Sequence, residues 1–357
     1  MRPYWSKRLE NITPYVPGEQ PKDGVFIKLN TNENPYPPSP AALKAIAEAA
    51  DSGLRLYPKP ECDDARAAIA DYYTLRPEQV FVGNGSDEVL AMAFLAFFSP
   101  EDKIAFPQIS YSFYPVYADL FSIPYDAVPL REDYTLDISV FDGDYKGIVF
   151  ANPNAPTGIE LPKGQVEALL QKHADIPVIV DEAYVDFGSE SAVDLIERYP
   201  NLLIIQTFSK SRSLAGLRAG FAMGQENLIQ AIDAVKNSFN SYTMDRLAQA
   251  GAAAAMRDTA YFDETRQKII ATRERSTHAL EQLGFTVLPS KTNFIFATHP
   301  KVDAAALFAA LRQHKILVRY FAKPGIDQFL RITIGTDEEM DALIEALKEI
   351  LTNETNA

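Results

Sequence analysis

Cysteine is almost absent. Cys62 is the single one in 357 residues, so no disulfide can form within the chain, and a reducing compartment, the cytoplasm, is the expectation. Histidine is scarce: His173, His278, His299 and His314 are scattered without metal-ligand spacing, which argues against a zinc site. No apolar run is long enough to cross a bilayer. The longest, Val89 to Phe98, reads as a buried helix. The basic start Met1-Arg2-Pro3-Tyr4-Trp5-Ser6-Lys7 leads into no apolar stretch, so no signal peptide is expected. Positive charge is in deficit, with 34 Lys and Arg against 48 Asp and Glu and a net charge of -14. A surface for nucleic acid or an anionic membrane needs clustered cations, so neither partner is expected. A locally basic pocket for small anions stays open.

Hydrophobic residues make up 47% and charged residues 23%, an ordinary balance for a globular protein. At this length a large domain plus a smaller one is expected. Residues 1–40 are rich in Pro, Asn and Tyr and read as an arm rather than core. Residues 41–255 read as a large α/β domain, with helices at Pro40–Ala50 and Ala65–Tyr73. Short, mostly apolar strands follow at Val80–Val82, Lys103–Phe106, Gly147–Phe150, Ile176–Val180 and Leu202–Thr207. Such runs, several with helical patterns between them, predict a mostly parallel central sheet flanked by helices. Residues 256–357 read as a small α+β domain. Its expected helices are Ile269–Leu283, Val302–His314 and Glu338–Leu351, and its expected strands are Phe285–Leu288, Asn293–Ala297, Ile316–Tyr320 and Phe329–Ile334, with a frayed tail at 352–357.

In open α/β sheets, ligands sit at the carboxyl ends of the strands, and here those ends are polar. Gly83-Asn84-Gly85-Ser86-Asp87-Glu88 joins a strand to a helix. Its free N–H groups suit a phosphate, although Ser86 or Asp87 could equally be a plain helix cap. Asp181 ends an almost wholly apolar strand, where a carboxylate needs a cation, donors or a capping role. Ser209-Lys210 ends the next strand. A lysine placed there beside another cation, for which Arg218 is the candidate, can serve as an amine nucleophile. A solvated loop lysine is the plainer alternative. Asn152-Pro153-Asn154-Ala155-Pro156-Thr157-Gly158 is a rigid, proline-fixed turn.

Together, Asn154 to Gly158, Asp181-Glu182-Ala183-Tyr184 and Ser209-Lys210 with Arg218 resemble the pyridoxal-phosphate aminotransferases of fold type I, in order and spacing. The similarity extends through Ile12 to Gly18, Leu29 to Tyr36, Tyr57-Pro58, Leu214 to Arg218 and Leu330 to Thr336, which resemble the histidinol-phosphate aminotransferase branch. The resemblance implies pyridoxal 5′-phosphate as cofactor, held by Lys210 as a Schiff base. Asp181 would pair with the pyridine nitrogen, Tyr184 would donate to O3′ and Tyr111 would stack on the ring. The N–H groups around Gly85, Ser86 and Asp87, with Ser209 and Arg218, would hold the phosphate. Tyr57 would reach the same phosphate from the other subunit of a homodimer. The wider family has Asn directly before Pro-Thr-Gly; Ala155 stands there in this chain, which leaves the O3′ contact to Asn154, Asn152 or Tyr184.

By the same resemblance the substrates are histidinol phosphate and 2-oxoglutarate, with glutamate as the product. Arg331 and Arg319 would take the anionic group. Tyr15 would close over the substrate phosphate from the neighbouring subunit, and Asn32 would lie on the substrate side. Aromatic amino acid aminotransferases and threonine-phosphate decarboxylases share nearly all these residues, because a few pocket side chains decide the substrate. A cofactor-binding gene regulator is the reading from another class. It fits poorly, since residues 1–40 show no helix-turn-helix pattern and the charge is -14.

Overall fold

The computed structural model describes residues 4–6, 9, 12–16, 18–22 and 24–355. Residues 1–3, 7–8, 10–11, 17, 23 and 356–357, among them Met1 to Pro3, Lys7 and Pro17, lie outside the described residues. Seven strands form the central sheet, in the spatial order Val80–Gly83, Gly220–Gly224, Leu202–Thr207, Val178–Asp181, Gly147–Ala151, Ile104–Pro107 and Tyr125–Val128. All run parallel except Gly220–Gly224, which is antiparallel to both neighbours.

Side-chain alternation explains why these strands are apolar throughout. Phe150, Val180 and Ile204 pack into one layer, while Val149, Ile179 and Ile205 pack into the layer on the other face. Both faces are covered, so no position on the inner strands is polar until the strand ends. Each such aliphatic side chain contributes roughly 1.5–3 kcal/mol on full burial. Residues Ala151, Asp181 and Ile205 are in register at the carboxyl edge. The apolar run Val89–Phe98 falls in the helix Gly85–Phe97, with Val89, Leu90, Met92, Ala93 and Phe94 buried against the sheet.

A four-stranded antiparallel sheet, in the order Arg319–Tyr320, Leu330–Thr333, Phe294–Thr298 and Thr286–Val287, carries a separate core. Several expectations change here. The expected strand Ile316–Tyr320 is two strands: Ile316–Leu317 pairs parallel with Ile27–Lys28, and Arg319–Tyr320 pairs with Leu330–Arg331. Leu29 joins the small core at 1% exposure and Ile27 packs against it, so this part of the arm reaches the core. The helix expected at Ile269 starts at Thr259, where Asp258 caps it by accepting from the Tyr261 N–H. Its first turns carry charge on most faces, which hid the periodicity. The last helix runs through Thr355 rather than fraying at 352. Tyr125–Val128, on the exposed edge, and Gly220–Gly224, with glycine at both ends, gave no strand signal in the sequence.

Gly220 shows why that strand begins with glycine. A Cβ there would stand 2.4 Å from the Ser86 nitrogen and 2.6 Å from the Gly85 carbonyl carbon. Both are backbone atoms and cannot rotate away. Gly220→Ala is therefore expected to destabilise the protein by roughly 1–3 kcal/mol and to push the helix start out of the sheet edge. A thermal melt reads this as a lower Tm, and an unchanged Tm would contradict the close approach.

Candidate active site

The carboxyl edge of the large sheet, the segment Asn30–Glu33 and the small sheet enclose one cavity of about 430 Å³. Strand ends deliver its central groups. Asp181 is 5% exposed. Its Oδ2 accepts from the Tyr114 hydroxyl at 2.9 Å and its Oδ1 from the Ala183 N–H at 3.2 Å. Burial nevertheless pushes its carboxyl up to about 6, and the nearby Asp87 adds to the rise. Lys210 donates from Nζ to the Thr31 carbonyl at 3.3 Å. Burial draws its ammonium down to about 8, with Arg331 next in effect and Arg218 a smaller contributor. The cation neighbour expected from the sequence was Arg218; the larger repulsion comes from Arg331.

Ser86 and Asp87, in the first turn of the helix that starts at Gly85, line the cavity, and the first N–H groups of a helix have no partner within it. Gly85 has φ +82, and a Cβ there would lie 2.6 Å from Arg218 Nη2. Only glycine lets the guanidinium come so close. Arg218 Nη2 is 3.4 Å from Asp87 Oδ2 and its Nη1 donates to the Ala215 carbonyl at 3.5 Å, both long contacts. Ser86, Asp87, Ser209 and Arg218 all line the cavity. The Ser209 hydroxyl accepts from Thr207 Oγ1 at 3.0 Å.

Tyr111 forms a wall, its hydroxyl donating to Asp87 Oδ1 at 2.6 Å. Burial raises the Tyr111 and Tyr184 hydroxyl pKa values, so both stay protonated. The Tyr184 oxygen accepts from Asn32 Nδ2 at 2.9 Å. Asn32, buried and at φ +56, is held in turn by Thr333 through two hydrogen bonds. Arg331 donates from Nη2 to the Asn30 carbonyl at 3.1 Å, while its Nε is buried with no hydrogen-bond partner among the described residues. Burial lowers the Arg331 pKa, and the neighbouring Arg319 lowers it further. The two guanidinium carbons lie 5.4 and 5.2 Å from the Phe321 ring centre.

The expected placements of Asn154 and Tyr15 differ, whereas Tyr57, expected to serve the other subunit, lies away from its own cavity. The Asn154 side chain is absent from the lining of this cavity. Its Oδ1 accepts from the Ser110 hydroxyl, and its Nδ2 donates to the Ile109 carbonyl and Thr157 Oγ1. Asn152 is likewise spent on both backbone groups of Leu161. With Ala155 on the lining instead, Tyr184 is the one of the three O3′ candidates that faces the cavity. Tyr15, expected from a neighbouring subunit, lines the cavity of its own chain, with its ring 4.6 Å from Phe113. Tyr57 is 81% exposed, stacked on Tyr242 at 4.6 Å, and lines no part of its own chain's cavity.

Sequence reading missed several supporting groups. Asn34 donates from Nδ2 to the Lys210 and Ser211 carbonyls at 2.9 and 3.3 Å, clasping the lysine from behind. Tyr114 was readable in principle, since Tyr111, Tyr114 and Tyr117 recur at helical spacing on one face. Lys323 also lines the cavity.

These residues suit pyridoxal 5′-phosphate. The buried Asp181 carboxyl lacks a cation in contact, which a pyridinium N–H supplies. The glycine-floored cradle beside Arg218 suits a phosphate. The Lys210 amine has a single carbonyl partner and a lowered pKa, as an amine that condenses with an aldehyde requires.

Comparison with known proteins agrees with the geometry. Residues 25–347 match the family model for aminotransferase class I and II. The chain is 58% identical to histidinol-phosphate aminotransferase 1 of Bordetella parapertussis, over 99% of this chain and 100% of that one. It is 53% identical to histidinol-phosphate aminotransferase of Clostridium acetobutylicum, over 98% and 100%. Among solved structures, histidinol-phosphate aminotransferase of Sinorhizobium meliloti in complex with pyridoxal-5′-phosphate superposes with a TM-score of 0.84 at 27% identity, covering 92% of each chain. A sheet edge that sets a buried aspartate and a half-buried lysine beside a glycine-floored cradle, and relatives this similar over the whole length, make the chain a member of the class I and II aminotransferases, in the histidinol-phosphate aminotransferase branch.

Proposed function

We infer that the protein transfers the amine of histidinol phosphate to 2-oxoglutarate, giving imidazole-acetol phosphate and glutamate. The observation that carries this reading is Arg331: a half-buried guanidinium whose buried Nε has no partner among the described residues, beside Arg319, in the same cavity as the Lys210 amine. An anion there places its amine-bearing carbon toward Lys210.

When bound, pyridoxal 5′-phosphate supplies an aldehyde that condenses with amines and a protonated ring that draws electrons from the substrate carbon. The chain supplies the rest. Asp181 would keep a proton on the ring nitrogen, because its carboxylate is buried and needs a positive partner. The N–H groups of Gly85, Ser86 and Asp87, with Ser209 and Arg218, would hold the cofactor phosphate. Tyr184 would donate to the ring oxygen and Tyr111 would cover the ring face. Lys210, with a pKa near 8, is poised near neutrality to accept and return the proton at the substrate carbon. Arg331 and Arg319 bind the substrate phosphate or a carboxylate, Asn32 orients Tyr184, and Tyr15 shields the cavity from water. The supporting organisation is an arm (1–40, with Ile27 and Leu29 packed at the small core), a large domain (41–255) and a small domain (256–357).

Among the described residues no helix is long and apolar enough to cross a membrane, which agrees with a cytoplasmic enzyme acting on small molecules. The exposed Tyr57, Leu54 and Leu56 support a homodimer in which Tyr57 serves the partner's phosphate. Sedimentation is expected to give a species of about twice 39.6 kDa, and a monomer at working concentration would refute it.

Titration of the purified protein with histidinol phosphate, without a keto acid, is expected to bleach the visible band of the bound cofactor. Lys210→Ala should abolish that band and reduce turnover by roughly a thousandfold or more. A band that ignores histidinol phosphate but bleaches with phenylalanine would move the activity to aromatic amino acids.

Lys210 also makes a pH prediction for the protein stripped of cofactor. Its folded pKa, about 8, lies below the ordinary 10.5. The unfolded chain therefore holds the proton more tightly, and the resulting penalty is fully present below pH 8 and vanishes above 10.5. Lys210→Met should raise Tm at pH 7, with the gain shrinking to nothing as pH rises through that window. A gain independent of pH would show that the lysine is not strained by burial.

A further inference from the structure

The two substrates of the reaction differ in where they carry charge. Histidinol phosphate has one anionic end and an imidazole at the other. Glutamate and 2-oxoglutarate have a carboxylate at each end. One cavity must serve both in turn. Arg331 and Arg319, packed over Phe321 and anchored at Asn30, provide one anion pole. A second carboxylate enclosed without a cation would lose its hydration uncompensated.

Beyond Phe321 the chain turns, with the Lys323 N–H donating to the Phe321 carbonyl at 2.8 Å. The Lys323 side chain then crosses to a different wall. Its Nζ donates to the Gln108 carbonyl at 2.7 Å. Gln108 directly follows the strand Ile104–Pro107, and the next residues, Ile109 and Ser110, line the cavity with Lys323. That carbonyl is the only hydrogen-bond partner of the ammonium among the described residues, and it has no carboxylate within ion-pair distance. An ammonium has three donors, so two are free. An unpaired lysine on a cavity wall stands out in a chain where acids outnumber bases by 48 to 34. Burial alone draws its pKa down, with no charged neighbour contributing. Arg331, by contrast, feels Arg319. Lys323 is thus a separate positive pole.

We propose that Lys323 binds the distal carboxylate of the dicarboxylic substrates, 2-oxoglutarate and glutamate, and thereby lets a cavity shaped for an imidazole accept a second anion. This rests on the substrate reading given above. The imidazole ring needs no cation there, and Ile109 and Ile326 beside Lys323 offer it apolar contact.

The test compares wild type, Lys323→Met and Lys323→Arg in the two half-reactions, each followed separately by the cofactor spectrum. Calorimetry with succinate, a dicarboxylate that cannot react, gives binding without turnover. Lys323→Met is expected to lower the ratio of kcat/KM for glutamate to that for histidinol phosphate about tenfold and to weaken succinate about tenfold, the size of a lost charged hydrogen bond at a partly open site. Lys323→Arg should keep both within about threefold. Parallel losses on both substrates would overturn the proposal and leave Lys323 as a latch onto Gln108. An unchanged ratio with unchanged succinate binding would overturn it as well. A wild type that reacts with glutamate but not with histidinol phosphate would instead overturn the substrate reading, and the succinate arm would then decide Lys323 alone.

Discussion

Burial of opposite charges in one cavity is the constraint on which the rest of the structure depends. Asp181 ends a strand covered on both faces, and Lys210 follows the neighbouring strand. Water is scarce at both, and each pKa is driven toward neutrality, the acid up to about 6 and the base down to about 8. A carboxylate and an amine that would be fully ionised on the surface are thus held close to the pH of their solvent. The surrounding bonds limit the cost. Tyr114 and the Ala183 N–H compensate Asp181, and Arg331 supplies repulsion that keeps the amine available.

The segment 27–34 ties the two sheets into one site. It enters as a strand beside Ile316–Leu317 and buries Leu29 in the small core. It then offers carbonyls to Arg331 from Asn30 and to Lys210 from Thr31. Asn32 bridges Thr333 of the small sheet to Tyr184, just past the end of the large-sheet strand Val178–Asp181, and Asn34 grips the backbone of Lys210. Substrate-side and cofactor-side groups therefore share a single positioning element.

The sequence reveals the interior of the large sheet because strands covered on both faces must be apolar from end to end, and the first polar residue marks the edge. Asp181, Ser209 and Lys210 were legible for that reason. What depends on partner choice was not. Ile316 to Tyr320 reads as one strand, yet it changes partner at Val318, and no periodicity encodes that. Gly220–Gly224 carries too little side chain to signal a strand. Asn154 looks like a site residue from its motif. Its amide is consumed by Thr157 of its own turn and by Ser110 and Ile109 of a loop distant in sequence. The Lys323–Gln108 contact joins two connections far apart in the chain and has no local signature.

The reversal of direction at Gly220–Gly224 has a consequence for how this protein can change over evolutionary time. Thr207 and Gly220 face each other across the two strands, and the connection between them holds Lys210 near one end and Arg218 near the other. Internal bonds from Phe208 to Ala219 and from Leu214 to Phe208 close it into a fixed arch. The Lys210 amine and the Arg218 guanidinium are therefore two points on one ruler. Inserting or deleting a residue in 208–219 would shift both at once, so this stretch should diverge by substitution while keeping its length, whereas surface connections elsewhere in the chain are free to grow or shrink.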